Sequence, residues 1–501
     1  SLRENGRKLF SLESRSDLNA FDILGFSLCY ELTYTNVLNM LSLGGIPVCS
    51  VERGEGDPFV IAGGACCYNP EPMSKFIDVF IIGDGEESLP RFIGAYRELK
   101  NKNLSRKEKL RAFSSLRGVY VPSLYRAEYR DGRFFALVPL DDEAPGVIGK
   151  NVVEDFQNAY YPEKQIVPLL QTVHDRIAVE IMRGCPNRCR FCQASAVNRP
   201  VRMRDPEKIF DICRETYKNT GFDRIALLSL SSVDYPFIKE IFVKLNGYFR
   251  EKGVGISIPS LRVDEAFYDL PELISEIRKG GLTFAPESAS EDVRESLGKD
   301  IDMEVLCKSA QMAFSRGWNK MKLYFMVGFP ADPMDEADKI IDLAKRISFM
   351  KTRSSRGAAE IKISVNPFTP KPHTPLQWVG MRDEGTLREM KRMLLSRSTK
   401  KIKIDFHNIE QSLLEACMAR GDRRVGEVIH SAWLKGAKMD SWLDLFDLSL
   451  WRGAFTDNKM DMNELASMRF STNSPLPWGH IDPGSGQESF KEEFRKSGFD
   501  T

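Results

Sequence analysis

Three cysteines fall close together in RGCPNRCRFCQAS (183–195): Cys185, Cys189 and Cys192, in a C-x3-C-x2-C spacing. On a loop, that spacing lets three thiolates converge on one metal centre, and thiolates are soft ligands suited to zinc or iron–sulfur clusters. A structural zinc site takes four protein ligands, usually as two pairs. No second pair lies nearby; the spare candidates are His174 and Cys213, and Cys213 sits on a helix face that reads as core. Three thiolates on a cubane of four irons leave one iron open, and an open iron can chelate a small molecule through an amine and a carboxylate. A zinc-loaded, non-catalytic scaffold is the alternative from another functional class.

What must position these thiols is a regular strand–helix series. Strand candidates are RIAVEIM (176–182), RIALLSL (224–230), GISIP (255–259), LTFA (282–285), KMKLYFMV (320–327) and IKISVN (361–366), with a helical stretch after each of the first five. In DPEKIFDICRETYKN, Asp205 stands as N-cap and Pro206 at the first helical position. Six such units predict a (β/α)6 partial barrel over residues 175–379, shorter than a full eight-unit one. Chemistry in such folds sits at the C-terminal ends of strands, and the cysteine run directly follows the first strand.

Ahead of it, FDILGFSL (21–28), PFVIAGG (58–64) and DVFIIGDG (78–85) alternate with helical stretches, predicting a Rossmann-like domain over 1–117. It enters its pattern abruptly, as though an earlier strand and helix were missing. Residues 118–174 read as a β-hairpin around RDG and a linker, and 380–501 as a mostly helical region. The fold class is therefore α/β. Net charge is +1 over 501 residues, so no global field draws the chain to nucleic acid or membrane. There is neither a bilayer-length apolar run nor a secretory h-region. The expected location is the cytoplasm, with the ten cysteines reduced.

The cysteine spacing, with Phe191 just before the third thiol, resembles the radical S-adenosylmethionine (SAM) superfamily. GFSLCYELTYTNVLNML (25–41), AGGACCYNPEP (62–72) and GDGEE (83–87) resemble the cobalamin-binding-type domain of one branch of it. LSSVDYP, SIPSLRVD, LTFAPESAS, KLYFMVGFP, PFTPKPHTPLQW and ARGDRR resemble an uncharacterised family within that branch. The resemblance implies that Cys185, Cys189 and Cys192 ligate a [4Fe–4S] cluster. Reduction of the cluster would cleave SAM to methionine and a 5′-deoxyadenosyl radical. It also implies an electron donor such as flavodoxin or ferredoxin.

Further site residues follow from the resemblance. Phe191 would pack near the SAM adenine. Ser231, Ser232 and Asp234 occupy the place that holds the methionine amino group, with an N-cap as the alternative for Asp234. Ser260 and Arg262 would meet the ribose and carboxylate, and Glu287 the ribose hydroxyls. Arg294 is read either as a SAM contact or as half of an Arg–Glu pair. Lys322 and Tyr324 share one strand face; Tyr324 could position substrate or relay a hydrogen atom, or simply pack the core.

For a corrinoid, the candidates are Gly63, Gly64, Asn69, Gly83, Gly85 and Glu86; the glycines read equally as ordinary strand-end turns of a domain that no longer binds cobalamin. None of the five histidines precedes His174, so this domain offers no imidazole to cobalt. Arg183, Arg188, Arg190, Arg199, Arg202 and Arg204 make the cysteine surroundings basic, which suits a phosphate-bearing substrate or RNA, or equally an anionic cluster. His373 and His480 lie in turn-rich settings that could line the site. Using both cofactors, the natural reaction is C-methylation of an unknown substrate. RNA modification of the methylthiolation type, without cobalamin, is the alternative.

Overall fold

In the computed structural model, residues 2, 4–170, 172–258, 282–299, 301–332, 335–353 and 357–500 are described. They form two compact units. One comprises Ser1–Val153, Thr369–Glu384 and Asn408–Phe494; the other comprises Glu154–Phe368, Gly385–His407 and Arg495–Thr501. Much of the C-terminal region thus packs in one unit with the N-terminal sheet.

The second unit carries the strand–helix series. Ile177–Glu180, Arg224–Leu228 and Gly255–Ser257 pair in parallel in chain order. So do Leu282–Glu287, Lys320–Val327, Glu360–Pro367 and Ile402–Phe406. All six expected strands are present, as two parallel runs of a barrel-like core. The last strand is an addition to the expected series, within a region beyond 380 that is otherwise mostly helical. Its alternation of Ile402, Ile404 and Phe406 with Lys403 and Asp405 is short and charged, as an edge strand needs to be.

Burial explains the rest. In Lys320–Val327 the residues Met321, Leu323, Phe325 and Val327 are buried, so Lys322 and Tyr324 share the opposite face. Helix Pro206–Thr220 lays Ile209, Ile212 and Cys213 into a core with Ile177, Val179, Ile225 and Leu227. Asp205 holds the N-cap position without capping; its carboxylate accepts from Gln157 Nε2 at 2.8 Å instead.

In the first unit, Ile23–Ser27, Phe59–Gly63 and Val79–Ile81 run parallel and Val119–Tyr120 closes the sheet antiparallel. Strand order follows the chain, so among the described strands there is no reversal of the kind that opens a ligand crevice in doubly wound sheets. The hairpin is Tyr125–Arg130 with Arg133–Pro139. A buried hub pins the unit: Glu71 accepts from Tyr120 Oη at 2.6 Å and from Arg423 Nε at 2.6 Å. Of the seven cysteines outside the loop, Cys29 alone is exposed. Among the described residues no helix is long and apolar enough to cross a membrane.

Candidate active site

The cysteine loop is held by its own backbone and by arginines. The Cys192 N–H donates to Cys189 O at 3.1 Å. Cys192 then caps helix Gln193–Val197, its Sγ accepting from Ser195 N at 3.4 Å. Ser195 Oγ reaches back to Asn187 O at 2.5 Å. Arg199 donates to Ser195 O and Asn187 O, both at 3.2 Å. Arg190 Nη1 donates to Glu295 O at 2.8 Å and Ser296 O at 3.0 Å. Arg202 bonds Pro200 O, and Arg204 bonds Gln157 O and Ala159 O; Arg183 pairs with Glu180 at 2.7 Å. These guanidiniums, read from sequence as a basic patch, are largely fasteners for loop carbonyls.

All three thiols line one cavity of about 330 Å³, together with Asn187, Phe191, Ser231, Glu287, Lys299 and Tyr324. Its far wall follows from strand alternation: Thr283, Ala285 and Glu287 share a face, and Tyr324 stands on the paired strand. Burial pushes the Cys192 thiol up to about 11; Ser195 N–H opposes this, and Cys189 and Cys185 add to it. Such thiols favour the thiolate only when a cation compensates them. Among the described residues, no three His, Cys, Asp or Glu side chains are grouped to hold a single ion. A cubane presents separate irons, so its three sulfur ligands need not crowd one point, and three thiols on one cavity wall fit it.

Other polar groups converge on the same space. Ser231 is 5 % exposed and its Oγ has no hydrogen-bond partner among the described residues. Ser232 is wholly buried, its hydroxyl 2.8 Å from that of Ser229. Asp234 accepts from Asn187 Nδ2 at 2.7 Å, and the same amide donates to Cys185 Sγ at 3.4 Å. Glu287 sits at φ 70°, in the left-handed region, where the strand ends in an irregularity. Burial raises its carboxyl pKa, against the pull of Lys299, whose Nζ lies 3.2 Å away. Lys322 Nζ donates to Tyr324 Oη at 2.5 Å. The cavity thus offers three thiols together with an unbonded hydroxyl, a carboxylate, an ammonium and a phenol. That set suits a zwitterionic molecule with hydroxyls.

Some expected residues stand elsewhere. Arg294 donates to the carbonyls of Ser288 and Ala289, at 3.2 and 2.9 Å, and does not line the cavity. Its neighbours Ser288 and Ser290 are held by the buried Glu336. Ser260 and Arg262 lie outside the described residues. His373 is buried in the first unit, 2.9 Å from Tyr68 O, and His480 packs on the Tyr120 ring. Asn187 and Lys299 were not anticipated: Asn187 lies inside the cysteine motif, where only thiols draw attention, and no pattern marks Lys299.

The corrinoid candidates have varied surroundings. A Cβ on Gly64 would lie 2.7 Å from Leu28 O, and one on Gly83 would lie 2.2 Å from Asn151 O. Both glycines therefore admit the chain's own backbone. Gly63 ends its strand paired with Ser27. Asn69 donates to Ala419 O and Gly421 O, each at 2.9 Å. Gly85 opens helix Gly85–Lys100 with nothing near its absent side chain, and Glu86 follows it in the first turn.

Residues 1–122 match the family described as radical SAM proteins, N-terminal, and residues 179–344 match the radical SAM superfamily. An uncharacterized protein of Methanocaldococcus jannaschii is 27 % identical over 464 residues, 89 % of this chain and 90 % of its own. A putative methylthiotransferase of the same organism is 24 % identical over 266 residues, 51 % of this chain and 50 % of its own length. Among solved structures, the radical SAM methyltransferase TsrM of Kitasatospora setae, with tryptophan and a SAM analogue bound, has a TM-score of 0.46. It is 11 % identical, over 71 % of this chain and 64 % of its own.

Proposed function

We propose, for a chain that belongs to the radical SAM superfamily, that Cys185, Cys189 and Cys192 hold a [4Fe–4S] cluster and that SAM fills the cavity beside them. When bound, this pair supplies reductive cleavage of SAM, the source of a hydrogen-abstracting 5′-deoxyadenosyl radical. The chain's own residues bind, orient and exclude water. Ser231 Oγ meets the methionine end of SAM, where its missing hydrogen bond is made. Glu287, steadied by Lys299, takes the ribose hydroxyls, and Phe191 flanks the adenine. Asp234 serves indirectly, through the amide of Asn187. Tyr324, braced by Lys322, faces the space left for substrate. A flavodoxin or ferredoxin is the proposed reductant, and the cytoplasm the proposed location.

One observation carries this reading: three thiols and an unpartnered buried hydroxyl open on one cavity. Anaerobic reconstitution tests it. The expected result is a brown protein that forms 5′-deoxyadenosine from SAM and reductant; a colourless protein retaining one zinc per chain favours the scaffold reading instead.

Two reactions follow from that start. C-methylation through cobalamin would require corrinoid contacts beyond Gly63, Gly64, Asn69 and Gly83, with Gly85 and Glu86 left to contribute. Methylthiolation of RNA without cobalamin is favoured by the likeness to a putative methylthiotransferase. Anaerobic purification with added hydroxocobalamin, followed by corrinoid extraction, separates them: about one corrinoid per chain supports the first, none the second.

A further inference from the structure

The stretch ARGDRR (419–424) has no part in the cysteine chemistry, yet it contains an unusual group. Arg420 is 1 % exposed. It ends helix Ile409–Arg420 and donates to Ala466 O at 3.1 Å and Met468 O at 2.8 Å, while its Nε has no partner. Its guanidinium lies 4.8 Å from the Phe470 ring centre. Both bonds are to neutral carbonyls. Burial lowers its pKa to about 10, with only the Cys417 thiol opposing. A guanidinium removed from water without a counter-anion is costly, and an anionic ligand would relieve that cost.

Arg420 lines a cavity of about 280 Å³ within the first unit, and Arg130, Arg133, Arg424 and Arg469 line it too. Asp422 is the one carboxylate among the lining residues. It is already engaged: it accepts from Arg424 Nε and Nη2, and it caps helix Arg423–Lys435 through the Arg424 N–H. Arg424 Nη1 also donates to Gly132 O at 2.7 Å, tying the hairpin turn to the cavity. With Asp422 taken by Arg424, no lining carboxylate is left for Arg420 or Arg133, a cationic surplus within the cavity. A single carboxylate would match little of it; a phosphate dianion, with oxygens suited to guanidinium forks, matches more. Phe134, Phe135 and Phe470 add flat apolar wall beside the charge.

We infer that this cavity binds a phosphate-bearing small molecule, its phosphate against Arg420 and the turn arginine Arg133, its remainder against the phenylalanines. The site lies in the first unit and is independent of the cysteine chemistry.

Calorimetric titration of the full chain tests this, with adenosine 5′-monophosphate, inorganic phosphate and adenosine as probes. The expected result is one saturable site for the monophosphate, at least tenfold tighter than for adenosine. Inorganic phosphate binding as tightly as the monophosphate identifies free phosphate as the ligand; weaker binding identifies an ester. Arg420→Met and Arg133→Glu should each weaken binding at least tenfold. Arg420 also ties two carbonyls, so its variant can misfold. Arg133→Glu, on the exposed turn, keeps the fold (checked by circular dichroism) and keeps 5′-deoxyadenosine formation. Absence of saturable binding, equal binding of adenosine, indifference to Arg133→Glu, or binding of a polyribonucleotide but not the monophosphate would each overturn the inference.

Discussion

Asn187 donates to Asp234 across 2.7 Å, joining the cysteine loop to the turn that follows the second barrel strand. The same amide nitrogen touches Cys185 Sγ. Sulfur that accepts a hydrogen bond in its thiolate form is stabilised as a ligand, and hydrogen bonds to cluster sulfur set potential. Asn187→Ala should therefore retain iron but shift the cluster midpoint potential to a more negative value and slow SAM cleavage at least tenfold. Potentiometric EPR and 5′-deoxyadenosine assays check both; unchanged values would reduce the bond to a packing contact.

The thiols themselves give a sharper contrast. Cys185→Ala should abolish the cluster, measured as iron and sulfide per chain. Cys213→Ala, in the core at 0 % exposure, should leave metal content intact and cost about 1 kcal/mol of stability through the lost side-chain packing. Equal loss of iron in both variants would undo the ligand assignment.

Ser231→Ala removes the hydroxyl that lacks a partner. If SAM supplies that partner, the variant should bind SAM about tenfold more weakly, near the 1–1.5 kcal/mol of one hydrogen bond, with cluster content unchanged. Equilibrium dialysis with SAM reads it out. Improved folding stability with no change in SAM binding would mark Ser231 as a structural defect only.

What the sequence makes legible is local patterning. Three thiols within one loop declare themselves by spacing, and the strand series shows in runs such as KMKLYFMV, whose alternate residues are buried. A side chain's partner on distant backbone is not legible in this way. Nothing in Arg190 announces that it will meet the carbonyls of Glu295 and Ser296, so the arginines looked like a surface for anions. Strand-end glycines are ambiguous in the same way. A glycine that admits a ligand and one that admits Asn151 are spelled alike, and only packing distinguishes Gly83 as the latter. Strand Ile402–Phe406 escaped notice because its exposed alternate positions are charged and a basic stretch runs into it.

A pH dependence follows from His373. Burial holds its imidazole well below the usual histidine range, at about 4, with the Tyr68 carbonyl opposing. The unfolded chain takes up the proton near 6.5, and the folded one does not until about 4. Stability is thus intact above about pH 6.5 and lost as pH falls towards 4, by up to about 1.4 kcal/mol per pH unit from this group. Denaturant titrations of wild type and His373→Gln across that window should show the shallower slope in the variant. Parallel slopes would assign acid sensitivity to other groups.

The Glu71 hub predicts coupling. Arg423→Met leaves a buried carboxylate bonded to Tyr120 Oη, with the neutral His480 ring 3.5 Å away, and no cation to balance it, and should cost about 3–5 kcal/mol. Glu71→Gln combined with Arg423→Met should cost less than the two singles together, since neither charge is then stranded. Chemical denaturation of all three variants measures the coupling, and simple additivity would contradict the packing described.

The arginine fasteners of the cysteine loop bear on assembly and repair. Loops that fold only around their metal lose shape when it departs. Here Arg190 and Arg199 secure Glu295, Ser296, Ser195 and Asn187 through main-chain oxygens, with bonds that involve no thiol. Enzyme bleached by air should therefore keep its socket, and restoring it should call for iron, sulfide and electrons, with no refolding step.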